Sequence, residues 1–102
     1  MNPGCTLMNG VERNRAHPDT FQIPSQDERE ALQAGAFAKI GIEMPDGSGE
    51  RFWVKLEGRV EDGATVQYRG AISNDLVHTR DHGMKDADMI EFGAEHVLQV
   101  YA

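Results

Sequence analysis

The sequence predicts an α+β domain, a small curled antiparallel sheet or partly open barrel of about five strands with one short N-terminal helix. Three observations carry that expectation. Apolar residues alternate at period two through Phe37–Met44 and again from Phe52, the turn-forming run Pro45-Asp46-Gly47-Ser48-Gly49 separates the two stretches, and Ser25 with Glu28 makes a capping-box pattern ahead of both. A chain of 102 residues has room for one domain. Residues 21–102 are assigned to it. Residues 1–20 lack a sustained period and are rich in Asn, Gly, Pro and Arg, so they read as an extended or disordered arm whose first seven residues are dispensable for folding. Leu, Ile, Val and Phe together number 21, which predicts a small core.

Taken in order, the capping box opens a helix over 25–34, with acids in its first turn, Gly35 as its stop, and Ala31, Leu32 and Ala34 free to pack. The next stretch puts Ala38, Ile40, Ile42 and Met44 on one face and Lys39 and Glu43 on the other. This is a strand. After the turn, Phe52, Val54, Leu56 and Val60 alternate with Arg51, Lys55, Glu57 and Arg59, and Trp53 falls on the polar face. Glu61-Asp62-Gly63 contains a tight-hairpin dipeptide, and Thr65–Ile72 returns with Val66, Tyr68, Gly70 and Ile72 in register. A polar loop over 73–85 leads to a fourth strand at Met89–Phe92 and a short fifth at His96–Tyr101, with Val97 and Val100 inward. Residues 32–40 and 84–92 echo one another, as two similar entries into one curled sheet.

Charge narrows the function classes. The chain carries 17 acids and 10 bases, a formal charge of -7, and residues 61–102 alone hold eight acids against three bases. Such a field repels phosphate backbones, so direct nucleic-acid binding is disfavoured. The single Cys5 allows no internal disulfide, and no apolar run of membrane-spanning length or signal-peptide pattern is present, so a soluble cytoplasmic protein is expected, with no membrane association.

The order His17-Pro18, Thr20-Phe21, Ile23-Pro24, Leu32-x-x-Gly35, Lys39-Ile40, Glu50-Arg51-Phe52-Trp53-Val54, Gly70-x-Ile72-x-Asn74, Asp88-x-Ile90-x-Phe92 and Glu95-His96-Val97 resembles the YegJ-like group of small uncharacterised bacterial domains. The likeness spans residues 17–97. It implies a setting among mobile-element and toxin-immunity proteins and brings no activity with it. Two places depart from the pattern: Gly35-Ala36 and Ala87-Asp88 stand where the group has a Gly-Asp turn, and Asn74-Asp75 runs into Leu76 without the usual Pro.

No catalytic signature is present: the chain lacks a nucleophile elbow, a phosphate-cradling loop and a dinucleotide fingerprint. His78, Asp81 and His82 have helical spacing for metal ligation, but the polar run, Gly83 and the absence of nearby thiolates argue against a site, and neither metal nor cofactor is expected. His96 beside Glu95, with Asn74 and Asp75 to orient it, makes an acid-base candidate only if the loop folds back over the last strand. In an extended segment Glu95 and His96 would face opposite ways.

Trp53 is the most informative residue. With Phe52, Val54 and Leu56 on the core face, its ring belongs on the other face, either covered by the N-terminal arm or the 25–34 helix, or left as an anchor for a partner. The resulting expectation is a non-enzymatic protein-binding module presenting Trp53, Arg51, Lys55 and Tyr68, with Asn74, Asp75 and His96 as further candidates. The alternative is an acidic inhibitor or immunity-type protein whose Asp81, Asp86, Asp88, Glu91 and Glu95 neutralise a basic toxin or nucleic-acid enzyme.

Overall fold

The computed structural model describes residues 1–61 and 65–101, with Glu61 by its backbone alone. In chain order it comprises β1 (Thr6–Leu7), α1 (Gly10–Ala16), α2 (Gln26–Glu30), β2 (Phe37–Glu43), β3 (Gly49–Glu61), β4 (Val66–Ile72), α3 (Thr79–His82), β5 (Met89–Gly93), a 3-10 turn (Ala94–His96) and β6 (Gln99–Tyr101). The strands form one antiparallel sheet in the order β1-β2-β3-β4-β5, and β6 also pairs with β2. This is the small curled α+β fold that the alternation predicts.

The alternation sets the core. Ala38, Ile40 and Ile42 of β2, Phe52, Val54 and Leu56 of β3, Tyr68 and Ile72 of β4, and Ile90 and Phe92 of β5 all point inward and are buried. A register shift between Leu56 and Gly58 bends β3 and strengthens the curl. Beyond it Arg59 stands opposite Tyr68 and Val60 opposite Gln67, so Val60 does not continue the core face. The Asp62-Gly63 hairpin dipeptide lies outside the described residues.

The helix at Ser25 begins as expected, with the Ser25 hydroxyl accepting the Glu28 amide and the Glu28 carboxylate accepting the Ser25 amide. It ends at Glu30, well before residue 34. The physical reason is a competing acceptor and donor: the buried Tyr68 hydroxyl donates to the Arg29 carbonyl at 2.7 Å and accepts the Leu32 amide at 3.3 Å. Those are backbone groups that a longer helix would use itself, and Leu32 is drawn into the core instead. The 73–85 loop contains the single turn α3, and His96 falls in the 3-10 turn rather than in the last strand.

Residues 1–20 are not a free arm. Thr6 and Leu7 pair with Glu43 and Ile42, the Met8 amide donates to the Gly41 carbonyl at 2.8 Å, and Asn9 caps α1 by accepting the Glu12 amide at 3.0 Å. Met8 itself is buried over Gly41 and Gly49, where an added Cβ would meet its sulfur and methyl at 2.5 and 2.4 Å. Single apolar residues do this packing, so no period announces it.

The echo between residues 32–40 and 84–92 is a repeated strand entry. Leu32 and Met84 are both buried; Gly35 and Ala87 both have positive φ, +92° and +73°. The Gly35 and Ala87 amides donate to the Leu56 and Ile72 carbonyls, each at 2.8 Å, and the Leu56 and Ile72 amides return the bond to Ala36 and Asp88, each at 2.9 Å. One turn thus feeds β2 onto β3 and its counterpart feeds β5 onto β4.

Three outcomes are expected from this arrangement. Deleting residues 1–7 removes the β1 pairing and should lower the thermal midpoint by about 5 °C or more, roughly 1 kcal/mol for a domain of this size; an unchanged melt would show that β1 contributes nothing. Gly35→Ala places a Cβ in open space but at left-handed φ, and should cost about 1 kcal/mol. Ala87→Gly should leave the midpoint unchanged or higher, because relief of the same strain offsets the added chain entropy. Equal losses in both variants would show that backbone strain does not govern the turns.

Candidate functional site

Outward positions on β2, β3 and β6 bring together residues far apart in sequence. Opposite-strand pairing sets Phe37 beside both Lys55 and Tyr101, and Lys39 beside both Trp53 and Gln99. Phe37, Trp53, Ser73 and Tyr101 line a shallow, mainly apolar groove of about 340 Å³. Tyr101 is 69% exposed. The Lys39 ammonium lies 5.1 Å from the Trp53 ring centroid, a cation-π contact that fixes one side of the indole.

A second, more polar hollow of about 250 Å³ continues from Lys39 and is lined by Thr20, Phe21, Gln22, Lys39, Arg51, Leu98 and Gln99. Here the segment after α1 lies on the sheet, and Phe21 sits between two guanidinium groups, Arg51 at 5.0 Å and Arg13 at 5.8 Å from its centroid. The N-terminal region therefore covers the Arg51 end of the face and leaves the Trp53 groove open. Lys39, Arg51 and Lys55 have no carboxylate within 4 Å and no hydrogen-bond acceptor among the described residues.

Of the residues predicted from sequence, Trp53, Arg51 and Lys55 share this face. Tyr68 does not: it is fully buried on the opposite face, against Phe92 at a centroid distance of 5.8 Å, and burial pushes its phenol pKa up. Asn74 works from below, its side-chain oxygen accepting the Trp53 amide at 2.9 Å while the Asp86 carboxylate accepts the Asn74 amide at 3.0 Å. Its side-chain oxygen holds the backbone of Trp53. Asp75 is exposed in the following loop.

His96 is half-buried, and its Nδ1 accepts the Gly93 amide at 2.9 Å, which places the ring proton on Nε2. Its role is to close the 3-10 turn, and its hydrogen bonding involves neither Asn74 nor Asp75. Burial holds the imidazole below its ordinary pKa, and the Glu95 carboxylate, 3.5 Å away, offsets part of that shift.

The helical spacing of His78, Asp81 and His82 does occur, as α3, but the groups engage elsewhere. His82 is fully buried, with Nδ1 accepting the Met84 amide at 3.1 Å and Nε2 donating to Glu50 at 2.9 Å. Glu50 also accepts the Val77 and His78 amides at 2.6 and 2.9 Å. Burial pushes the Glu50 carboxyl up, and these hydrogen bonds outweigh it, so the group sits below its ordinary pKa. His78 pairs with Asp81 at 3.3 Å. Among the described residues, no group of three or more His, Cys, Asp or Glu side chains is disposed to hold a metal ion.

The C-terminal carboxylates are largely committed to local structure: Asp86 accepts the Asn74 amide, Asp88 accepts the Lys85 amide, Asp81 faces His78 and Glu95 faces His96. Among the described residues no helix is long and apolar enough to cross a membrane. Comparison with protein-family models, with curated proteins and with solved structures finds no match.

Phe37, Lys39 and Tyr101 join the site without having been candidates in the sequence. The signal for Lys39 and Phe37 was the β2–β3 hairpin itself, since a short turn sets residues about equidistant from it side by side. Tyr101 comes in through the long-range pairing of β6 with β2, which no local pattern announces.

The His96 environment gives a pH prediction. Its folded pKa lies below the unfolded value of about 6.5, so the unfolded chain takes up a proton first on acidification; the associated stability is full above that pH and is lost as pH falls through the folded pKa. His96→Asn keeps an acceptor for the Gly93 amide and cannot titrate. The difference in melting temperature between wild type and this variant should therefore shrink or reverse in favour of the variant from pH 7.5 to 5. A constant difference across that range would show that His96 titrates alike in both states.

Proposed function

We propose that this protein is a non-enzymatic protein-binding module that docks a partner on the outer face of its sheet, through Trp53 with Arg51, Lys39 and Lys55 around it. The supporting observation is the open aromatic groove of Phe37, Trp53 and Tyr101 beside three cations that have no acidic partner among the described residues. A large amphipathic ring in a partly desolvated groove is the usual anchor of a binding interface. The order of motifs from His17 to Val97 supports placing the chain among the YegJ-like domains, and the unbridged Cys5 supports a reducing, cytoplasmic setting.

The acidic-inhibitor alternative has narrower support. Four of its five carboxylates, Asp81, Asp86, Asp88 and Glu95, already have polar contacts within the fold, and Glu91, exposed opposite Arg69, has no hydrogen bond or ion pair among the described residues.

Affinity capture from the native host, with wild type and Trp53→Ala in parallel, tests the reading. Thermal melts of both baits establish that they fold alike. A specific band present with wild type and lost with Trp53→Ala is expected. An identical set of bands from the two baits would overturn the sheet-face module.

A further inference from the structure

Along β3, Arg51, Trp53 and Lys55 occupy successive outward positions, alternating with the buried Phe52 and Val54. Their spacing is that of a strand, roughly 7 Å between residues two apart. The order along the strand is cation, aromatic, cation. Lys39, opposite Trp53 on β2, places a third positive charge beside the indole.

Lys39, Arg51 and Lys55 have no carboxylate within 4 Å among the described residues, Lys39 resting on the Trp53 ring and Arg51 on the Phe21 ring, although the molecule as a whole carries a formal charge of -7. The face is thus a local reversal of the protein's sign, with an apolar groove beside it that shares Trp53. A second extended chain has the same two-residue period of about 7 Å. Its alternate side chains can therefore meet Arg51, Trp53 and Lys55 in register.

We infer that the occupant of the groove is an extended peptide segment with acidic, apolar and acidic side chains at alternate positions, an inference that rests on the sheet-face reading above. The apolar residue lies on Trp53 and faces the groove towards Phe37 and Tyr101. The flanking carboxylates pair with Arg51 and Lys55, and Lys39 reaches the centre of the segment. Charge also selects against nucleic acid as the occupant, because a polyphosphate extending beyond the groove meets the acidic remainder of the surface, whereas a short acidic segment ends within it.

Trp53 is the only tryptophan, so its fluorescence reports occupancy directly. The probe is an acetylated and amidated peptide, Ser-Asp-Ser-Leu-Ser-Asp-Ser. Its controls are an isomer with the two Asp adjacent at one end, an analogue with Lys for both Asp, and an eight-nucleotide oligothymidylate, all titrated to millimolar concentration. The alternating peptide should bind about tenfold more tightly than either peptide control, and binding should weaken as salt is raised. In Lys55→Glu, which alters an exposed residue with no hydrogen bond or ion pair among the described residues, the preference should shift from the Asp peptide towards the Lys peptide. Arg51→Glu, checked by melt because Arg51 touches Phe21, should do the same.

Equal affinity for the alternating and adjacent isomers, or a preference unchanged by Lys55→Glu, would overturn the inference. So would tighter binding of the oligonucleotide, which would make the groove a stacking platform for single strands. If no peptide binds while partner capture still depends on Trp53, the acidic occupant is wrong and the sheet-face module stands. If capture is also independent of Trp53, both fail.

Discussion

The far edge of β2 is the constraint on which the rest of the structure depends. One edge of this strand pairs along its whole length with β3; the other is divided, residues 37–39 pairing with β6 and residues 42–43 with β1. The Lys39 and Gly41 carbonyls between them accept the Leu98 and Met8 amides, both at 2.8 Å. Backbone groups left unpaired on a strand this deeply buried would each carry a desolvation cost, so segments from both ends of the chain are recruited to the same edge. That recruitment curls the meander, brings Val97 and Leu98 into the core, and makes the first eight residues part of the fold.

Closure by backbone pairing also decides what remains open. Because β1 and β6 join β2 at its edge instead of lying across the sheet, the outer face is covered by the N-terminal region, with Met8 over Gly41 and Gly49 and Phe21 beside Arg51. Trp53, Phe37 and Tyr101 lie beyond both. Asn74 adds precision from behind by holding the Trp53 amide, and the Ser73 amide donates to the Trp53 carbonyl at 2.8 Å. The indole thus projects from a strand whose backbone is pinned on the β4 side.

Several buried and half-buried polar groups among the described residues serve stretches of backbone that the sheet leaves unpaired. Tyr68 takes the end of α2, Arg29 donates to the Pro24 and Ala94 carbonyls, His82 and Glu50 hold the 77–84 loop, and His96 closes the turn before β6. Among the described residues no buried side-chain nitrogen or oxygen lacks a partner. Of the histidines singled out by spacing, His82 and His96 each accept a backbone amide, and His78 pairs with Asp81.

The sequence by itself determined what depends on near neighbours: the inward faces of β2 to β5, the start of α2 at Ser25, the strand-entry echo, and the outward position of Trp53 with Arg51 and Lys55. Period-two alternation and capping are local physics, written within a few residues. By the same rule Asn9 and Glu12 marked the start of α1, a signal obscured by the polar composition around it. Tertiary structure alone decided that Tyr68 is buried, since its period-two position was compatible with the core and only its bonds to Arg29 and Leu32 gave its hydroxyl a place there. It likewise decided that β1 and β6 share one edge, that the bulge at Leu56 and Gly58 sets the exposed Arg59 opposite Tyr68, and that Tyr101 stands beside Phe37 and Trp53. Those outcomes depend on which distant backbone groups satisfy one another, a global condition that no window of neighbouring residues contains.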